Sequence, residues 1–470
     1  MRALVRVLQA IALLAGVWGI IALVGWLTDA FPPSPTEASS SSDAGAPGDA
    51  GPADAGAPDA GAPPEEDAGA PERPPERPTR SALRFTACDP SVERPALAVA
   101  QMMGDPLPEV SVGCGPLVQV LATDTDDEAI RPVRVMAFEA DPEEPDAVVH
   151  AAPAVAADVT GNSSPDLVLG FVHARPEGGA RGGSLYLLRA DAIGAFDPPE
   201  QLASIGVAAA AAADLDGEAG ADLVALHLAN AFARRPSELW VFHGGPAPAR
   251  EGRLRTGVEA RSLAVADLDR DGHRDLAALA GEPERIDVFF GEGDGRFPRS
   301  ATLTVAGGAE LASGDLTGDG VAEVLVAGSG GLAMLDTGGS DTLEAQPLDA
   351  PEGLARPRVV DVDGDGRPDV VGVVDAEIIW LRHRADTDGI RLKAAPLVSF
   401  GEGTGFIPVA AEVADLNADG RLDLAMLGRV GDDGPWELVL LPELGRGAVV
   451  DLGETAASIP DAPLVLQIAP

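Results

Sequence analysis

From about residue 95 onward the chain is written in short apolar runs rich in Val, Leu and Ile, broken by Gly, Pro and Asp, as in SLAVADLDRDG, RDLAALAG, IDVFFGEGDG and ATLTVAGG. Runs of this length and punctuation predict β-strands; helices would need longer amphipathic stretches, and none is found there. One acidic phrase recurs six times, each time just ahead of an apolar run. It reads DVTGNSSPD from Asp158, DLDGEAGAD from Asp214, DLDRDGHRD from Asp267, DLTGDGVAE from Asp315, DVDGDGRPD from Asp361 and DLNADGRLD from Asp415. A degenerate seventh copy, QMMGDPLPE from Gln101, keeps an acid at its ninth position, Glu109; Gln101 is a poor substitute for the first acid and Met103 is none for the third. Successive copies lie 46 to 57 residues apart. A fixed period of this size signals a stacked or closed repeat architecture, and four strands per unit match a propeller blade. The expected fold is all-β, a seven-bladed β-propeller with four-stranded blades over residues 81–470.

The first eighty residues follow a different pattern. Residues 7–27 are apolar except for Gln9, with Arg2 and Arg6 before them and Asp29 after. As a helix this run spans about 31 Å, enough to cross a bilayer, and the flanking charges keep the N-terminus cytoplasmic. Residues 1–30 are therefore read as a transmembrane signal-anchor or a cleaved signal peptide. The length favours the anchor, because a signal peptide has a shorter apolar region and a small-residue cleavage site, for which Thr28-Asp29-Ala30 is a weak match. Either reading exports the rest of the chain. Residues 31–80 repeat Asp-Ala-Gly-Ala-Pro variants and end in PERPPERP. They lack side chains for a core, and they read as a disordered spacer.

Charge narrows the range of partners. The formal net charge is −42, of which residues 81–470 carry −36. Such a surface repels phosphate backbones and argues against nucleic acid, whereas divalent cations relieve its self-repulsion. The two cysteines, Cys88 and Cys114, flank the degenerate repeat. In an exported domain they form either a disulfide or a pair of buried thiols, and no Cys/His spacing suggests zinc.

The acidic phrases have the composition of a hard-cation loop. Calcium takes six to eight oxygen ligands, and a tight turn lets one short loop supply most of them. Side-chain oxygens at positions 1, 3, 5 and 9, with a backbone carbonyl at position 7, define the candidate sets. The fullest are Asp267, Asp269, Asp271, His273 and Asp275; Asp361, Asp363, Asp365, Arg367 and Asp369; and Asp415, Asn417, Asp419, Arg421 and Asp423. Asp315, Thr317, Asp319, Val321 and Glu323 follow. Two weaker sets are Asp158, Thr160, Asn162 and Asp166, with Ser163 in the Gly place, and Asp214, Asp216, Glu218 and Asp222, with Ala219 there. An EF-hand is rejected. It needs an acid at position 12 between helices, and four of the loops have Ala278, Val326, Gly372 and Met426 at that position, inside strand-like runs. The competing account is a metal-free turn held by Asx hydrogen bonds.

These loops, with FFGEGDGRF at 289–297 and SFGEGTGF at 399–406, resemble the FG-GAP repeats of the integrin alpha-subunit propeller and the related bacterial VCBS-type repeats over about residues 95–450. The resemblance implies one four-stranded blade per repeat, seven blades in a ring, and calcium in a hairpin loop within the blade. It also implies a blade shared between the ends of the domain and a metal-free first repeat. Three to six calcium ions are expected.

No HExxH, nucleophile elbow or Walker loop is present. The six histidines lack ligand spacing, and Trp240, Trp380, Trp436 and Tyr186 read as blade packing. The sequence points to an extracytoplasmic calcium-binding propeller at the cell envelope. It would be membrane-anchored through residues 7–27, or secreted if these are cleaved. Its expected work is non-enzymatic binding of a protein or polysaccharide. The alternatives are a propeller hydrolase or lyase with an acidic site in the central channel, and a structural spacer.

Overall fold

The computed structural model describes residues 79–468 apart from residues 94, 104–106, 125–128, 139–147, 175–179, 192–194, 229–234, 282–283, 337–342, 376, 385–389, 401–404, 432, 443, 445–447, 452–456 and 459–464. The apolar run 7–27, the spacer up to residue 78 and part of SFGEGTGF lie outside the described residues. The chain divides into two compact units, 1–72 and 73–470, and everything described belongs to the second.

The apolar runs form seven antiparallel sheets, and no helix occurs among the described residues. Blade 1 comprises Ala96–Ala100, Glu109–Cys114, Leu117–Asp124 and Ala129–Phe138. Blade 2 has a divided inner strand, Val148–Ala151 and Val155–Ala157, then Asp166–Ala174, Ala180–Leu188 and Glu200–Ala203. Blade 3 comprises Val207–Ala213, Asp222–His227, Pro236–His243 and Ala249–Val258. Blade 4 comprises Ser262–Ala266, Asp275–Gly281, Glu284–Phe290 and Arg299–Thr304. Blade 5 comprises Gly308–Gly314, Glu323–Gly328, Gly331–Asp336 and Glu344–Leu348. Blade 6 comprises Ala355–Val360, Asp369–Val374, Glu377–Arg384 and Arg391–Phe400. Blade 7 takes Phe406–Ala414, Asp423–Val430 and Trp436–Leu441 from the end of the domain, and Leu83–Cys88 from its start as the fourth strand, with Phe85 opposite Leu438. The inner strands touch in succession, and that of blade 7 meets that of blade 1, so the ring closes.

The core is divided into seven interblade clusters. Each contains the apolar residue at position 2 of an acidic phrase, from Met102 and Val159 through Leu215, Leu268, Leu316 and Val362 to Leu416, all buried. This side chain points from its own blade into the seam with the next. The phrase is thus a packing device as well as an acidic loop. Trp380, Trp436 and Tyr186 are buried in third strands, as the packing reading expects, while Trp240 is half-buried with the Arg250 guanidinium 4.3 Å above its ring.

Ring closure is reinforced around the fourth strand of blade 7. Cys88 and Cys114 form a disulfide that ties the shared strand to blade 1. In the same strand Arg84 makes a buried ion pair with Glu437 at 2.6 Å. The chain end then straps the outer edges. Ala448–Asp451 adds in parallel to Arg391–Phe400 of blade 6, Ala457–Ser458 to Leu83–Cys88 of blade 7, and Val465–Ile468 to Ala129–Phe138 of blade 1. We expect the double substitution of Cys88 and Cys114 by Ser to lower stability by about 3 kcal/mol through lost constraint on the unfolded chain. Urea unfolding reads this as an earlier midpoint, and an unchanged midpoint refutes it.

Candidate metal centre

All six acidic phrases join the first strand of a blade to the second, so they share one face of the ring. The position-9 acid opens the second strand and is buried in every repeat: Glu109, Asp166, Asp222, Asp275, Glu323, Asp369 and Asp423. Its carboxylate is a backbone clamp. One oxygen accepts an N–H from the start of its own loop: Met102 to Glu109 at 2.7 Å, Thr160 to Asp166 at 2.8 Å, Leu215 to Asp222 at 2.7 Å, Leu268 to Asp275 at 2.7 Å, Leu316 to Glu323 at 2.8 Å, Val362 to Asp369 at 3.2 Å and Leu416 to Asp423 at 2.9 Å. In four blades the other oxygen accepts an N–H from the end of the third strand: Ala190, Gly244, Gly291 and His383. Burial pushes the Asp275 carboxyl up to about 6 against these donors, with Asp269 adding to the rise. Burial also raises Asp222 and Asp369.

The exposed half of each loop is a nested turn. Asp267 accepts from Asp271 and Gly272, and Asp271 accepts from His273. Asp315, Asp361 and Asp415 repeat the first pattern, and Asp319, Asp365 and Asp419 the second. In the first of these loops the turn needs left-handed backbone at positions 4 and 6, adopted by Arg270 at φ 60° and Gly272 at φ 91°. Asp158 likewise holds Asn162 and Ser163, with Ser163 at φ 68° in the Gly place. The loop at Asp214 differs. Ala219 is not left-handed, Gly220 is, and Asp214 accepts only from Gly217 within the turn.

Position 3 is where the turn leaves oxygen over. Thr160 Oγ1 and Asp269 Oδ1 are buried and lack a hydrogen-bond partner. Asp269 uses its other oxygen to receive Arg299 at 2.5 Å, whereas the buried Oδ2 of Asp363 is ion-paired with Arg382 Nη2. Asp216 faces His243, whose Nδ1 is 2.8 Å away.

Four groups have ligand atoms close enough together to hold a metal ion: Asp267, Asp269 and Asp271; Asp361, Asp363 and Asp365; Asp315, Asp319 and Glu323; and Asp216, Asp222 and His243. The first three draw on residues expected from the sequence. In the fourth, His243 joins Asp216 and Asp222, while Asp214 and Glu218 stand outside the group and are exposed. His243 was missed because it ends a third strand, far along the chain from the loop it meets. A signal did exist: it immediately precedes the Gly244 whose N–H reaches the position-9 acid, the place Arg382 holds in blade 6. The phrase FFGEGDGRF forms a turn, and its Gly295 donates to Leu215 O in the blade 3 loop at 2.9 Å. A Cβ at Gly295 would meet the His243 ring at 2.3 Å, so the turn seats closely on that histidine.

At the ring centre, inner strands of blades 1, 2, 3, 6 and 7 enclose a cavity of about 270 Å³. Its one lining carboxylate, Glu412, is held by Arg358 at 2.5 and 2.8 Å.

Residues 267–326 and 361–426 match the FG-GAP-like repeat family. These two stretches are FG-GAP-like repeats, as the loop phrases suggested, set in a seven-bladed propeller. No curated protein matches the sequence. Solved structures of similar shape include an Agrocybe aegerita lectin described with non-reducing terminal N-acetylglucosamine, at 16% identity, TM-score 0.47, covering 75% of this chain and 94% of that one. Others are BBS1N in complex with ARL6DN, at 10% identity, TM-score 0.48, covering 79% and 98%, and the Dos1 propeller, at 11% identity, TM-score 0.44, covering 80% and 98%. At these scores the likenesses say nothing of ligand or partner.

The clamp yields a prediction. Asp275→Ala leaves the buried N–H groups of Leu268 and Gly291 without an acceptor, and should cost about 2–4 kcal/mol in chelator. Asp271→Ala, at an exposed position of the same loop, should cost less than about 1 kcal/mol. Equal losses in denaturant unfolding would contradict the clamp.

Proposed function

We propose that this propeller binds calcium through its acidic loops and acts as a non-enzymatic binding module for a protein or polysaccharide at the cell envelope, with calcium in a structural role. The observation that carries the calcium reading is the unpartnered oxygen at position 3, in Thr160 and Asp269. Nested turns account for positions 1 and 5, and the clamp accounts for position 9. Neither employs the leftover oxygen, and an unsatisfied buried oxygen costs about 1–3 kcal/mol. A hard cation coordinated there removes that cost and offsets the crowding of three carboxylates. Asp267, Asp269 and Asp271, with the His273 carbonyl, would hold it in blade 4. Asp361, Asp363 and Asp365, with the Arg367 carbonyl, would do so in blade 6. The Cys88–Cys114 disulfide supports an oxidising, extracytoplasmic setting.

Metal that binds only the folded state stabilises it by mass action, so the chain should melt markedly higher in calcium than in chelator. Metal analysis should return three to six calcium ions, with magnesium a poor substitute. Asp363→Ala should lower the count by one. Met103→Ala, at the matching place of the degenerate repeat, should leave it unchanged. Equal melting temperatures in calcium and chelator would sink the reading, as would a count that ignores Asp363→Ala.

The pH dependence has a definite sign. The folded chain holds the Asp275 proton more tightly than the unfolded chain, where a carboxyl titrates near ~3.9. In chelator this group's contribution to stability is fully present below about pH 4 and is lost as pH rises through about 6. A calcium ion held by Asp267, Asp269 and Asp271 favours the ionised form of the neighbouring Asp275 through its charge. The melting gap between calcium and chelator should therefore narrow as pH falls below about 6; a gap independent of pH contradicts this.

A further inference from the structure

One cation on the loop face is not on the blade whose acids it meets. Arg270 is position 4 of the blade 4 loop, and its left-handed backbone turns the side chain towards blade 5. Its Nη1 donates to Asp319 Oδ2 at 2.7 Å, and its Nη2 lies 3.4 Å from Glu323 Oε1. These two carboxylates, with Asp315, form the acidic group of the blade 5 loop. A cavity of about 80 Å³ separates the two loops, bounded by Asp267, Arg270 and Glu323 among others. It offers room for an ion with a water or two. Unlike Asp269 and Thr160 in their loops, the position-3 side chain here is satisfied, since Thr317 Oγ1 donates to Glu323 Oε1 at 3.0 Å.

We propose that Arg270 sets the calcium affinity of the blade 5 loop: it is a tethered cation that competes with the metal for Asp319 and Glu323 and so couples that loop to the one at Asp267. The inference rests on the calcium reading above. Two positive charges cannot share one pair of carboxylates without repulsion, so calcium must displace the guanidinium to enter. The Asp319 arm of the pair is exposed and correspondingly weak, and the 3.4 Å contact to the buried Glu323 is long. Arg270 therefore lowers affinity at blade 5 and does not abolish binding there. Because Arg270 is part of the blade 4 turn, filling one loop shifts the other, and the effect is reciprocal.

The test is calcium titration of the full chain by calorimetry, with bound calcium counted by equilibrium dialysis. Arg270→Gln should tighten one site by about tenfold, raising the count at low free calcium by one. Arg270→Lys, which keeps the charge, should remain close to the wild type. Adding Asp319→Asn to Arg270→Gln should abolish the gain and locate it in blade 5. The proposal is overturned if Arg270→Gln leaves the affinities unchanged or weakens them, or if the gain survives Asp319→Asn. Failure of the calcium reading looks different: neither wild type nor Arg270→Gln binds calcium, and the competition proposal falls with it.

Discussion

The structure depends on one buried carboxylate per blade. Each position-9 acid sits where the second strand begins and accepts the N–H that starts its own loop. In blades 2, 3, 4 and 6 it also accepts an N–H from the end of the third strand. One side chain thus ties three strands of a blade at the loop face. It also fixes the loop's entry, which drives the position-2 residue into the seam with the next blade. Burying a carboxylate is costly unless it is hydrogen-bonded, and these bonds offset that cost. The degenerate first repeat bears this out: it has lost the acids at positions 1 and 3 and retains Glu109 with its bonds to Met102 and Met103. The ninth acid belongs to the fold before it belongs to any metal.

Seven blades joined by local turns leave one seam without chain continuity, inside blade 7, between its third strand and the fourth strand that comes from the start of the domain. The ladder between Leu83–Cys88 and Trp436–Leu441 supplies hydrogen bonds there, Arg84 with Glu437 adds a buried ion pair, and the disulfide fastens the fourth strand to blade 1. The terminal strap then covers the outer edges of blades 6, 7 and 1, the blade that holds the seam and its two neighbours. Reinforcement is concentrated where the ring would open.

Much of this was legible in the sequence, for a physical reason. A loop that repeats at a fixed period betrays its blade, so the number of blades, their all-β character and the shared terminal blade followed from the positions of Asp158 to Asp415 and from the family resemblance. Three acids come together in each of blades 4, 5 and 6, while Asp275 and Asp369 stand outside their groups. Loop numbering could not show what approaches from elsewhere. Arg299 comes from a fourth strand, Arg382 and His243 from third strands, and Arg270 from the neighbouring blade. The strap was equally hidden, because its strands have two to four residues and no hydrophobic alternation. In the Asp214 loop, Ala219 was the visible warning: without Gly at position 6 the left-handed residue moves to Gly220, and Glu218 leaves the group.

Crowded carboxylates need positive charge, and this face supplies it unevenly. Arg299 and Arg382 each touch a position-3 acid in blades 4 and 6, and in blade 4 the other oxygen of Asp269 is left without a hydrogen bond. There the protein's own cation relieves repulsion without satisfying every oxygen. In blade 5 the guanidinium bridges two acids of the group, and in blade 3 an imidazole faces Asp216. There the chain's own cations take more of the role that a metal would have. The loops are thus a graded series, from those at Thr160 and Asp269, which leave a buried oxygen unbonded, to those in which a side-chain cation faces the acids. That grading gives a reason why six similar phrases need not bind six equal ions.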